Sequence, residues 1–295
     1  MSLRVCFLGL ALDVAVGAAV AGHDVVAVLG HGGRPGLRRL RRALAGTPAE
    51  RTAKNLGARF INVSGRGLAG CVDDVRATRA DVLVCAAWPG RVPAALLDVL
   101  PHGGLNVHPS ALPLHRGPDP LAWTILAGDS QTAVTFHHMV HAFDAGDIYA
   151  QHPVPVCVDD TKGTLGERCF TLAVREIGPV LAAIAAGARP TPQAVGGSYE
   201  RKPTLAMLAF DAAVLDAPTL VRRVRAQLPG PVRIRCGTAV VDVVRAIAVA
   251  ERSATPGRVS GVFGRHVVVA AREGSAWLTT ATPPRVSPGA PVSQA

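Results

Sequence analysis

The chain has 295 residues, 49% of them hydrophobic and 18% charged. That is enough apolar material for one large core or two smaller ones, and it excludes a disordered chain or a scaffold dependent on staples. No apolar run approaches the roughly 18–20 residues that a membrane span requires. Thirty-one basic residues against 21 acidic ones leave a net charge of +10. Only Lys54, Lys162 and Lys202 are lysine, so the other basic residues are arginine. Such a surface would steer an anionic partner, whether tRNA or the glutamate tail of a folate. Six scattered cysteines form no C-x-x-C pair, which argues against a zinc ribbon or a disulfide framework and for buried thiols in a reducing cytoplasm.

Met1–Ala21 mimics a signal peptide, but Asp13 interrupts it and a second apolar run follows His23-Asp24. A strand over Arg4–Leu8, a turn at Gly9, a helix over Leu12–Ala21 and a strand over Asp24–Leu29 account for it better. An arginine cluster follows (Arg34, Arg38, Arg39, Arg41, Arg42), then a helix to about Leu56, a strand over Arg59–Val63 and a short helix over Asp73–Thr78. Asp81–Ala86 and Gly104–His108 are further strands, with a helix over Pro93–Leu100 between them. This alternation predicts an α/β fold with a doubly wound, mostly parallel, Rossmann-like sheet. Leu121–Ala127 reads as a helix, Thr132–Met139 and Ile148–Val156 as strands, and Thr164–Ala186 as a helix stopped by Gly187.

These elements form a first domain over residues 1–190. A Pro-, Thr- and Gly-rich linker is expected over 191–206. Residues 207–283 then hold one helix, Ala217–Leu228, and five strand-like runs: Val232–Arg235, Val240–Val249, Gly257–Phe263, His266–Ala271 and Ala276–Thr280. This predicts a small β-rich domain resembling an open barrel. Residues 284–295 read as a frayed tail.

The densest chemistry lies between Gly104 and Ile148. Asn106 and His108, two apart at a strand end, leave the same face, and Pro109 stops the strand. In open α/β sheets ligands bind outside that edge. A carboxamide beside an imidazole suits a site that polarises a carbonyl and moves a proton, although the same pair could simply bond its own loop. A metal site at His137, His138 and His141 is disfavoured, because adjacent strand residues point to opposite faces. Gly9-Leu10-Ala11-Leu12-Asp13 is not a dinucleotide fingerprint.

Asn106-Val107-His108-Pro109-Ser110-Ala111-Leu112-Pro113 is followed in order by Arg116-Gly117, Val134-Thr135-Phe136-His137-His138-Met139 and Asp144-Ala145-Gly146-Asp147-Ile148. This ordered set resembles the folate-dependent formyltransferase family, which includes methionyl-tRNA, glycinamide ribonucleotide, sugar-nucleotide and siderophore-amine formyltransferases. The resemblance implies an enzyme that uses 10-formyltetrahydrofolate, with Asn106, His108 and Asp144 as its catalytic trio. It places the pterin between Trp88, Pro89, Gly90, Arg91 and Val92 on one side and Met139, Val140 and Phe143 on the other. Ser110, Ala111, Leu112 and Pro113 would lie beside the folate. Arg116 and Gly117 would meet the acceptor, or Arg116 would order its loop.

Two departures matter. Ala133 stands where many members have glycine, and the G-T-P-x-F-A-like turn of the tRNA enzymes is absent. The expected acceptor is therefore a small-molecule amine: an amino sugar, an ornithine-like amine or a natural-product intermediate. Methionyl-tRNA is the alternative, motivated by the arginines and the second domain, and a non-catalytic folate-binding module is a second one.

Overall fold

The computed structural model describes residues 2–32, 46–230, 232–251 and 255–295. The arginine cluster at 34–42 lies outside them. Contacts divide the chain into two units, each built from three segments. One comprises Met1–Gly117, Ala133–Val154 and Arg168–Tyr199, the other Pro118–Thr132, Pro155–Glu167 and Glu200–Ala295.

The first unit is built on a seven-stranded sheet ordered β3-β2-β1-β4-β5-β6-β7. Its strands are β1 (Arg4–Gly9), β2 (Asp24–Gly30), β3 (Arg59–Asn62), β4 (Val82–Ala86), β5 (Gly104–His108), β6 (Gln131–His138) and β7 (Ile148–Pro155). The pairs from β3 to β5 are parallel and β5–β6 is antiparallel. β1 and β4 are buried almost throughout, as continuous Val/Leu/Cys/Phe runs in a two-sided sheet should be. The chain leaves β1 toward β2 on one side and returns to β4 on the other, so the sheet has a switch point between β1 and β4. Helices α1 (Asp13–Val20), α2 (Pro48–Asn55), α3 (Val72–Ala77) and α4 (Ala94–Leu97) connect these strands. α2 begins with a reciprocal capping box between Thr47 and Glu50.

The apolar start of the chain is β1, a turn and α1. Gly9 is required at that turn. Its φ is +142°, and a Cβ there would sit 1.8 Å from the Ala86 carbonyl oxygen, which accepts the N–H of Leu10. The helix expected over Pro93–Leu100 is shorter, because the chain turns after Leu97 so that the His102 N–H can meet the Asp81 carbonyl and lead into β5.

The second unit carries α5 (Pro120–Ala127), the short α7 (Leu205–Leu208), α8 (Ala217–Gln227) and a six-stranded sheet. The helix α6 (Lys162–Ala185) has its first turns in this unit and the rest in the first. Asp216 caps α8 by accepting the Thr219 N–H at 2.7 Å. The strands are β8 (Val232–Cys236), β9 (Ala239–Val249), β10 (Val259–Phe263), β11 (His266–Ala270), β12 (Ser275–Thr280) and β13 (Val292–Gln294), ordered β10-β11-β12-β9-β8-β13. Val232, Ile234, Cys236, Val241 and Val243 alternate inward and pack with Leu220 and Val224 of α8. The tail expected to fray is a strand instead: β13 pairs with β8, and a bridge from Pro291 to Arg258 carries it toward β10. The sheet curls into a partial barrel, and the chain end covers the edge that β8 would otherwise expose.

All six cysteines are free. Five are buried as expected, but Cys157 is exposed. Burial pushes the thiols of Cys6 and Cys236 up to about 11 and that of Cys85 to about 12, so these three are inert. Among the described residues no helix is long and apolar enough to cross a membrane.

Candidate active site

β5 ends at His108, and the antiparallel register sets Asn106 opposite His137 and His108 opposite Thr135. The side chains of Asn106, His108 and His137 therefore emerge on one face. The loop after β6 returns Asp144 to that face. Its backbone adopts a left-handed φ of +52°. Gly146, two residues on, packs so closely that a Cβ would lie 1.9 Å from the His138 carbonyl oxygen.

The Asp144 carboxylate is the hub. Oδ1 accepts from Asn106 Nδ2 at 3.1 Å and lies 3.6 Å from His108 Nδ1 and 3.5 Å from His137 Nε2. Oδ2 accepts the Gly117 N–H at 2.9 Å. Burial works against ionisation, but the His137 contact, the His108 and His137 rings and the Gly117 N–H outweigh it and hold the carboxyl down to about 2.

The ring tautomers follow from the bonds. His137 Nδ1 is 2.9 Å from the His138 carbonyl and donates to it, which leaves Nε2 to accept from Asn106 Nδ2 at 3.0 Å. The 3.5 Å approach of His137 Nε2 to Asp144 becomes a hydrogen bond only in the imidazolium. In the Nδ1–H form Asn106 holds the carboxylate, and its two amide hydrogens are divided between Asp144 and His137. His108 Nε2 donates to the His115 carbonyl at 3.0 Å, so Nδ1 faces Asp144 without a hydrogen. Burial lowers the His108 pKa and outweighs the carboxylate and the His115 carbonyl, which raise it. A neighbouring carboxylate by itself favours the protonated imidazole; here burial wins and the resting ring is neutral.

The structure brings the two expected pterin loops together. The Arg91 guanidinium lies 4.7 Å from the centre of the Phe143 ring, and its Nη1 is 3.4 Å from His141 Nε2. Pro89 and Gly90 are exposed, while Val92 and Met139 pack against the core. Trp88 packs there too, stacks on His31 at 5.5 Å, and buries an Nε1–H that has no hydrogen-bond partner among the described residues. An orphaned indole donor and two exposed apolar side chains, Val140 and Phe143, fit a flat heterocycle with acceptors at its edge.

Ser110 and Leu112 are buried inside their own loop. The Ser110 hydroxyl donates to the Leu114 carbonyl at 2.8 Å, and the Leu112 carbonyl accepts from Gln151. Ala111 and Pro113 are half-exposed. Arg116, expected at the acceptor, commits Nε and Nη2 to Gln193 Oε1. Three contributors escaped the sequence reading: His137 as a partner of the trio, the His115 carbonyl, and Gln193. His137 was accessible in principle, since an antiparallel hairpin puts it on the Asn106 face; Gln193 carries no local signal.

A family profile described as formyl transferase matches residues 14–179. A methionyl-tRNA formyltransferase of Bordetella petrii is 36% identical over 236 residues, which cover 76% of this chain and 72% of that one. One from Halorhodospira halophila is 34% identical over 271 residues, covering 89% and 85%. Among solved structures, an N-formyltransferase from Helicobacter canadensis, in complex with folinic acid and dTDP-3-aminofucose, superposes with a TM-score of 0.70. It is 15% identical and covers 94% of this chain and 99% of that one.

These findings overturn the expected small-molecule amine acceptor and its natural-product setting. These two relatives, at 34–36% identity, are methionyl-tRNA formyltransferases, whereas the sugar-linked structure shares only the fold. The N-terminal turn lacks the G-T-P-x-F-A-like pattern but keeps a close backbone approach at Gly9. With a profile spanning more than half its length and relatives of this identity, the chain belongs to the formyltransferase family.

Proposed function

We propose that the protein transfers the formyl group of 10-formyltetrahydrofolate to the amino group of methionyl-tRNA. The observation that carries the chemistry is the convergence of Asn106, His108 and the Gly117 N–H on one buried carboxylate, Asp144. The acceptor rests on the relatives at 34–36% identity, all methionyl-tRNA formyltransferases. The six free thiols suit a reducing cytoplasm.

Trp88, Arg91, Val140 and Phe143 line the place for the pterin. Bound 10-formyltetrahydrofolate supplies the formyl group. One Asn106 Nδ2 hydrogen, held at rest by His137 Nε2, turns to the charge that develops on an acyl oxygen while the other stays on Asp144, and such a donor is typically worth roughly 3 kcal/mol of barrier. His108 Nδ1, bare at rest, takes the proton that an attacking amine sheds and passes it to the folate nitrogen as the bond from that nitrogen to the formyl carbon breaks and tetrahydrofolate leaves. Asp144 stabilises the resulting imidazolium, and the His115 carbonyl holds the other ring nitrogen in place.

Incubation with 10-formyltetrahydrofolate and methionyl-tRNA is expected to yield formylmethionyl-tRNA. Formylation of a small amine with none of the tRNA would overturn the acceptor. The pH dependence tests His108. Because burial lowers its pKa, the base is already neutral below the ordinary histidine value of 6.5. The acidic limb of kcat should fall below that value, and a limb above it would remove His108 from this role.

A further inference from the structure

Gln193 lies in the stretch that the sequence marks as a connector, yet its side-chain amide is bonded at both ends. Nε2 donates to the backbone carbonyls of Asp144 and Gly146, each at 2.8 Å. Oε1 accepts from Arg116 Nε at 3.1 Å and Nη2 at 2.6 Å. A flipped amide would set its oxygen against two carbonyls and its NH2 against a guanidinium, so chemistry fixes the orientation. The segment that carries Gln193 is tied down on both sides. Thr191 and Ile148 exchange both backbone hydrogen bonds, at 2.7 and 2.9 Å. Ser198 donates its N–H to the Pro113 carbonyl, accepts the Arg116 N–H on its own carbonyl, and accepts the His115 N–H on Oγ. Gly197 approaches so closely that a Cβ would lie 2.2 Å from the Pro113 oxygen.

The strap thus spans two loops. One presents the His115 carbonyl and the Gly117 N–H, and the other presents Asp144. We propose that Gln193 is a positioning residue for formyl transfer: it clamps the left-handed backbone of Asp144 against the Arg116–Gly117 loop and so fixes the carboxylate between His108 and the Gly117 N–H. The inference rests on the assignment of Asp144 to the reacting group. The geometry argues for it because Asp144 holds a conformation that L-residues seldom adopt, and such a conformation persists where neighbours over-determine it. The two carbonyls that bracket Ala145 are both held by one amide, so loss of that amide frees the loop on either side of the aspartate's peptide.

Gln193→Ala removes the clamp. Gln193→Glu keeps its shape and its pairing with Arg116 but turns a carboxylate oxygen toward the two carbonyls. Both variants are expected to lose about 10- to 100-fold in kcat with little change in KM for 10-formyltetrahydrofolate, as a misplaced group rather than a lost contact should. A second readout needs no turnover. In histidine-labelled protein followed by NMR, His108 is faced by Asp144, His137 and His115; the Asp144 carboxylate, ahead of the His115 carbonyl, raises its pKa, and the His137 and His115 rings lower it. Displacing Asp144 should shift the His108 titration further down. If the alanine variant does not fold, the glutamate variant decides. Wild-type kcat, or an unmoved His108 titration, overturns the inference. A wild-type enzyme inactive on methionyl-tRNA would refute the acceptor while the titration still judges the clamp.

Discussion

An Asp144→Asn enzyme should fold and bind 10-formyltetrahydrofolate yet turn over about a thousandfold more slowly, the scale expected when an acid–base pair loses its charge. Asparagine tolerates the left-handed φ of +52° as well as aspartate does. Its side-chain oxygen can still accept the Gly117 N–H that now meets Oδ2 at 2.9 Å. What disappears is the negative charge 3.6 Å from His108 Nδ1, together with the oxygen that accepts from Asn106 Nδ2 at 3.1 Å, where an NH2 group would now stand. Burial then depresses His108 against the His115 carbonyl alone, and the ring becomes a poorer resting place for the amine's proton. The wild-type carboxyl also links site to stability. Its folded pKa of about 2 lies below its ordinary value of 3.8, so its contribution is complete above that ordinary value and is lost as pH falls through about 2. The difference corresponds to about 2 kcal/mol, and the asparagine variant should lack this part of the acid dependence. Steady-state kinetics beside melts at several pH values separate the two effects. Turnover within twofold of wild type would sink the role assigned to Asp144.

Gly146→Ala is expected to cost about 3 kcal/mol, at the upper end for overpacking, because the new methyl meets a backbone carbonyl and not a side chain that can swing away. The clash is 1.9 Å from the His138 oxygen. That carbonyl accepts from His137 Nδ1 and thereby leaves Nε2 facing Asn106. Moving it loosens the tautomer that divides the Asn106 amide between His137 and Asp144, so activity should fall beyond the unfolded fraction. In a urea titration the midpoint should drop at an unchanged slope. An unaltered midpoint would mean that the loop relaxes freely, against the close packing at Gly146.

Much of the first unit was legible because its signals are local. β1, β2, β4 and β5 are apolar runs bounded by turn residues, and Asn106 and His108 share a face by strand parity. Asp144 could be placed only by the order of motifs, since no periodicity reaches across the loop that returns it. Gln193 has no signal of its own: Pro, Thr and Gly mark a segment without helix or strand, and an irregular segment can still be fixed by its hydrogen bonds. β13 was hidden likewise. Val292–Gln294 has little strand character alone and gains it from the edge of β8, from Ile234 to Cys236. Arg116 drew attention as a cation and spends its fork on an uncharged amide. The residues leave methionyl-tRNA as the alternative acceptor, because one short turn points away from it, and similarity along the whole chain favours it.

Among the described residues four besides glycine hold a positive φ: Arg79, Ala87, His115 and Asp144. Three of them border the place where the folate and the reacting groups are expected. Each such conformation costs on the order of 1–3 kcal/mol, so the reactive corner drains firmness from its own scaffold. A laboratory lineage selected for heat tolerance alone should therefore collect glycine or asparagine at 87 and 115. It would emerge hardier and catalytically blunted, whereas selection that also demands product should leave these positions alone and harden the barrel.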